Sequence, residues 1–224
     1  MPNSEREIIY VGDPMCSWCW GFAPVAERLA TRFREVADFR VIAGGLRPGE
    51  HAAPLDESLK SSIRPHWEKV EAMTSQAFDY SIFDRDDFVY DTEPACRAVV
   101  CVRRMSPERT LDTFLALQKA FYADGLDITA TEVIAGLIEA QGIERDTFLE
   151  SFRHSSIEQY TYADFAMASR LGAQAFPTVY LRNEDDVALL TMGYQPYEVL
   201  APAVDKFFSS GAPSQLGPEQ PAPV

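Results

Sequence analysis

The residues of this chain most suited to chemistry are two cysteines, Cys16 and Cys19, in "DPMCSWCWGF" at residues 13 to 22. Thiols at this spacing either exchange electrons through a reversible disulfide or hold a metal such as zinc. On a helix they lie one turn apart on the same face, so the two sulfurs can close a disulfide. With Cys16 at the opening of that helix, unpaired backbone N–H groups and the helix dipole stabilise its thiolate. The arrangement suits thiol–disulfide exchange. Cys16 attacks or is attacked, a mixed disulfide forms, and the more deeply placed Cys19 resolves it. The pair itself carries the electrons, so no bound cofactor and no metal are expected. Ser17 and Trp18 between the cysteines supply no cation, and Asp13, three residues upstream, would work against a thiolate if close and ionised. Trp18 is expected at an apolar rim for substrate, and Trp20 in packing.

A second pair, Cys96 and Cys101, lies in "EPACRAVVCVRR". If residues 93 to 105 are a regular helix, five positions turn about 500°, splaying the side chains about 140° apart with Cα atoms about 8.6 Å apart. That exceeds the roughly 7 Å limit for a bridge. The two are read as small buried apolar residues, with a second redox pair as the functional alternative. Thr92 and Pro94 fit the start of that helix. His51, His66 and His154 are scattered, none near a cysteine in sequence, although His66-Trp67 could line a lid. No Walker, G-x-G-x-x-G, G-x-S-x-G or H-E-x-x-H pattern occurs.

The elements that must hold the first pair can be read around it. "EIIYVGD", Glu7 to Asp13, is apolar and β-branched and reads as a buried strand. From Ser17 to about Val36, apolar residues recur at spacings of three and four, as in a helix, with Pro24 expected to kink it. Phe39 to Gly45 is a second strand, followed by the turn "GLRPGE". The opening is therefore βαβ, with two parallel strands. From Leu55 to Leu171 almost no strand pattern appears, and helices are expected at 56–63, 65–78, 93–105, 107–123, 130–141, 144–153 and 156–171. Thr129 or Thr131 is the expected cap of the fifth. "PTVYLRN" and "VALLTMG" then form a hairpin across "NEDD", and "QPYEVLAPAVDKFFSSG" a last amphipathic helix. The fold class is α/β. One layer is formed by residues 1–50 and 172–210, a helical insertion by 51–171, and a disordered tail by 211–224.

The 224 residues are 46% hydrophobic, enough for one good core. With 34 acidic against 20 basic residues the net charge is −14, which opposes nucleic acid and anionic membrane surfaces as partners. No stretch has the run of about 18 apolar residues that a membrane span needs. The polar opening "MPNSEREIIYVGD" lacks a basic n-region and an apolar h-region, so no secretory signal is expected and the compartment is read as the cytoplasm. Four cysteines are too few for a disulfide scaffold.

A strand leading into C-x-x-C on a helix, a second strand, a helical insertion and "AFPTVYL" entering a third strand together resemble the DsbA-like branch of the thioredoxin superfamily. "DPMCSWCWGF", "GGLRPG", "FPT" and "GYQPYEVL" are similar to its cytosolic FrnE-like members, described as predicted disulfide isomerases. The resemblance spans roughly residues 7 to 208. It implies a thioredoxin-like fold, Cys16 as nucleophile, Cys19 as resolving thiol, and a cis Pro177 packed against the pair. It also implies that the backbone of Phe176 pairs with a bound client, whether protein, peptide or small molecule, and it leaves glutathione or another low-molecular-weight thiol as a partner. Periplasmic DsbA proteins carry a histidine between their cysteines. With Ser17-Trp18 there, a more reducing couple is expected. Two rival readings fit the same residues. One is a glutathione-dependent small-molecule transferase or isomerase, since kappa-class glutathione transferases and 2-hydroxychromene-2-carboxylate isomerases share the architecture with a serine where Cys16 stands. The other is a zinc-stabilised binding module.

Overall fold

A four-stranded sheet forms the centre of the computed structural model, which describes residues 5–210. The tail at 211–224 lies outside the described residues. Strand β1 (Arg6–Gly12) pairs in parallel with β2 (Asp38–Ala43) and antiparallel with β5 (Thr178–Asn183), which pairs antiparallel with β6 (Asp186–Met192). The order is β2-β1-β5-β6. Alternation along β1 explains its unbroken apolar run. Ile8 and Tyr10 face the main core, while Ile9 and Val11 face a second, smaller cluster with Ile42, Ala168 and Tyr180.

Helix α1 (Ser17–Phe33) connects β1 to β2 and buries Phe22, Val25, Ala26, Leu29 and Phe33. It runs on through Pro24. A proline cannot donate to the carbonyl four residues back, here that of Trp20. The Gln76 side chain donates to that carbonyl instead, at 2.9 Å, and the Trp20 indole N–H donates to the Ala77 carbonyl at 3.0 Å. The block expected as helices 56–63 and 65–78 is one helix, α2 (Glu57–Thr74), capped by Asp56 and running through Pro65. Pro65 and Ser61, the residue whose carbonyl Pro65 cannot reach, are both exposed.

Two residues of strand in each of β3 (Ala53–Pro54) and β4 (Val89–Tyr90) pair inside the stretch read as helical, too short to leave a periodic pattern. Helices α3 (Glu93–Met105), α4 (Thr110–Tyr122), α5 (Thr131–Ala140), α6 (Arg145–Phe152) and α7 (Ser155–Arg170) follow, then α8 (Tyr197–Ser210) after the hairpin. The expected caps differ. Thr92 is the residue before α3, but its hydroxyl accepts from Arg47 N–H, and Asp91 accepts from Glu93 N–H. Ala130, not a threonine, precedes α5, and Thr129 donates to Asp127.

The core is continuous across the sequence-read boundaries. One cluster runs from Ile8 and Tyr10 through α1 and α8 to Trp67, Phe114, Phe121 and Phe148 of the helical block. Arg103 of α3 forms a two-pronged pair with Asp164 of α7 at 2.7 and 2.8 Å and donates to the Val41 carbonyl, while Asp164 also accepts from Ala43 N–H. This clamp fixes two helices to the end of β2, where the loop beside the cysteines begins.

Candidate active site

Cys16 is the N-cap residue of α1, in extended conformation, directly after the β1 strand and its turn. Its N–H donates to the Asp13 carbonyl at 3.0 Å, which sets the turn. Its sulfur caps nothing within the helix. It donates across the molecule to the carbonyl of Phe176, at 3.6 Å. The Phe176–Pro177 bond is cis, and the Pro177 carbonyl accepts from Gly193 N–H at 2.7 Å. Cys16, Phe176 and Pro177, remote in sequence, therefore meet. Cys16 is 7% exposed and Cys19 0%, and both are free thiols. Burial pushes the Cys19 thiol well above its ordinary value, and the nearby Cys16 adds to this, while the Asp13 backbone and the Tyr10 hydroxyl pull it down.

Ser17 is half-buried as the first residue of α1. Trp18 is also half-buried, its ring between Tyr194 and the Lys69 ammonium, 5.7 Å from the latter. Trp20 is buried and stacked on Tyr122. His154 caps α7, His51 lies at a groove beside Phe176, and His66 is half-buried on α2, whose Trp67 is buried in an aromatic cluster. Three residues beneath the thiols had no motif to mark them: Tyr10, Tyr90 and Tyr122, all buried. Tyr90 donates to the Met15 carbonyl at 2.6 Å. Burial raises all three phenols, so each stays protonated. Tyr10 was visible only as one more apolar strand residue.

Asp13 is fully buried, and its carboxylate accepts from Met15 N–H at 2.8 Å, Leu46 N–H at 2.7 Å and the Cys96 thiol at 3.4 Å. Burial raises its carboxyl, and these donors, together with Thr92, draw it back. Cys96 and Cys101 are both free and occupy different clusters. Cys96 lies with Ala43, Val100 and Phe165, and Cys101 lies in the main core with its thiol toward the Met105 sulfur. Burial pushes the Cys101 thiol up to about 12. Among the described residues no group of three or more His, Cys, Asp or Glu side chains converges to hold a metal. None of the described helices is long and apolar enough to cross a membrane.

The groove has a volume of about 750 Å³ and is lined by Gly44, Gly45, Leu46, Tyr162, Phe165 and Phe176, among others. Its floor needs glycine. A Cβ on Gly44 would lie 2.4 Å from the Phe176 ring, and one on Gly45, at φ +70°, 2.7 Å from the Phe165 ring. The "GG" of the sequence is thus where two aromatic rings pack onto bare backbone.

Known proteins share this fold. The chain is 33% identical, with a TM-score of 0.86, to a solved structure of a candidate protein disulfide isomerase from Nitrosomonas europaea, covering 93% of this chain and 100% of that one. It is 26% identical, with a TM-score of 0.74, to the cytosolic disulfide reductase DsbM from Pseudomonas aeruginosa, covering 90% and 98%. That protein has also been solved with GSH. Among curated relatives it is 21% identical over 201 residues to the ClpXP adapter protein SpxH of Bacillus subtilis. The match covers 88% of this chain and 66% of that protein, so the chain spans just under two thirds of that relative's length. A family model described as Thioredoxin matches residues 9–202, from the middle of β1 into α8. The chain belongs to the thioredoxin superfamily, in its DsbA-like branch.

Proposed function

We propose that this chain is a thiol–disulfide oxidoreductase of the reductase or isomerase type, working through Cys16 and Cys19 in the cytoplasm. The observation that carries the reading is the placement of Cys16 at the start of α1, its sulfur 3.6 Å from the Phe176 carbonyl, with Cys19 buried one turn below. In the reducing direction, the Cys16 thiolate attacks a client disulfide. That S–S bond breaks, one client thiol leaves, and Cys16 is joined to the other client sulfur. Cys19 then gives up its proton and attacks the Cys16 sulfur. The Cys16–Cys19 bond forms, and the second client thiol departs with a proton. The client disulfide is reduced and the pair oxidised. Two molecules of glutathione, or of another small thiol, reset the pair and leave as one disulfide, a reading supported by the GSH-bound relative. The client's backbone pairs with that of Phe176, Trp18 supplies part of its apolar rim, and the adjoining groove receives its flanking residues.

The test is the reduction potential of the Cys16–Cys19 pair in glutathione buffers, read by alkylation and mass, with zinc assayed on the same sample. The expected result is a reversible two-electron couple more negative than the value of about −120 mV for DsbA, since neither Ser17 nor Trp18 supplies a cation. A couple at the DsbA value would remove the reductase assignment. No reversible couple, with stoichiometric zinc, would end the catalytic one.

A further inference from the structure

Exchange through Cys16 and Cys19 leaves the buried Cys96 thiol without a task. We propose that Cys96 is a positioning residue, whose thiol donates to the Asp13 carboxylate and so fixes the loop that presents Cys16, and that it is not one half of a redox couple with Cys101.

Three oxygens of Asp13 organise the site. The main-chain oxygen accepts from Cys16 N–H at 3.0 Å, Oδ1 from Met15 N–H at 2.8 Å, and Oδ2 from Leu46 N–H at 2.7 Å. One residue therefore holds the catalytic turn and the floor of the groove together. The Cys96 sulfur reaches the same Oδ2 at 3.4 Å, and both residues are 0% exposed. A charge in that setting is costly unless its lone pairs are matched by donors, so each donor bears on where the carboxylate points. Cys96 is well placed to act from α3. The residue before that helix is anchored to the groove loop by a reciprocal pair, Thr92 N–H to the Arg47 carbonyl and Arg47 N–H to the Thr92 hydroxyl, both 3.1 Å. Cys96 N–H donates to the Thr92 carbonyl, one turn on. Burial and the Asp13 charge keep Cys96 a protonated thiol, hence a donor and a poor nucleophile. Cys101 lies in another cluster and shares none of these contacts.

The inference rests on the proposed function only in taking Cys16 as the exchanging thiol, so the test uses a readout that does not require exchange. The rate of iodoacetamide alkylation at Cys16 is measured on the reduced protein by mass of the Cys16 peptide. Reaction with oxidised glutathione is followed on the same samples. Cys96→Ala is expected to slow both by about threefold to tenfold, the range of one net hydrogen bond. Cys96→Ser, which retains a donor, returns to within about twofold, and Cys101→Ser matches the unmodified chain. Asp13→Asn provides a second variant should Cys96→Ala fold poorly. Whatever the lost charge does to the Cys16 rates, adding Cys96→Ala to this variant slows neither reaction further. Cys96→Ala at the unmodified rate overturns the proposal. So does Cys96→Ser as slow as Cys96→Ala, with Cys101→Ser equally slow and a Cys96–Cys101 disulfide found by mass. If the alkylation series behaves as expected while the unmodified chain exchanges no disulfide, the positioning role stands and the oxidoreductase reading falls.

Discussion

Cys16 and Cys19 are one helical turn apart but chemically unequal. Cys16 keeps a small exposure beside Phe176, whereas Cys19 is enclosed and held as a thiol by its burial. Resolution by Cys19 therefore needs help, and the groups that favour its thiolate are the Asp13 backbone and the Tyr10 hydroxyl. Tyr10→Phe keeps the ring packed against Phe22 and Phe114 and removes only that hydroxyl. Without it the Cys19 thiol should be raised further, and its attack on Cys16 should slow. A mixed disulfide at Cys16 should persist about fivefold longer, measured by release of a bound small thiol. Because the Cys19 thiol is raised, that release should quicken as pH rises through the neutral range toward its folded value, in the parent chain and the variant alike. An unchanged release rate would show that the hydroxyl plays no part. The cysteines themselves were legible from spacing alone, since a C-x-x-C after a strand has few uses. Tyr10 was not. Its chemistry depends on which face of β1 meets α1, and an apolar run buried on both sides does not mark that face.

Each helix-breaking residue in the sequence has a local solution in the structure, and the solutions differ. Pro65 abandons the carbonyl of Ser61, an exposed residue on the outer side of α2, where water can serve as the donor. Pro24 abandons the Trp20 carbonyl, and Gln76 supplies the missing donor. Gln76→Leu should destabilise the fold by about 1–2 kcal/mol, measured by urea unfolding. Pro24→Ala restores a backbone N–H for Trp20, so the same Gln76→Leu change in that background should cost markedly less. Equal costs in both backgrounds would show that the two residues are not coupled. At this scale, the sequence revealed the βαβ opening, the hairpin and the last helix, because their periods are strong. It failed where a side chain from a distant segment compensates, or where two residues suffice for a strand, as at Ala53–Pro54 and Val89–Tyr90. No local pattern records either.

The whole molecule carries a net charge of −14, and this bears on which clients approach it. Anionic disulfides meet a repulsive field that salt screens, and cationic ones meet an attractive field. Between about 10 mM and 150 mM salt, reaction with oxidised glutathione should accelerate by about threefold, and reaction with cystamine should slow by a similar factor. Matching salt responses would show that the global charge does not reach Cys16. Charge was legible from composition, and so was a helical insertion from its periodicity. The way that insertion joins the rest was not. Trp67 and Phe121 share one cluster with Tyr10 and Phe22, and the Arg103–Asp164 clamp joins residues 61 positions apart. Those are long-range pairings that a linear reading does not contain.

The Phe176 carbonyl has two suitors. In the reduced protein the Cys16 thiol occupies it. Once Cys16 is joined to Cys19 it has no hydrogen to give, and the same oxygen becomes available to an amide of an extended client. Under the proposed docking, the oxidised form should grip a client strand more firmly than the reduced form does. The redox state would then govern retention as well as chemistry, and each turnover would adjust its own hold on the partner.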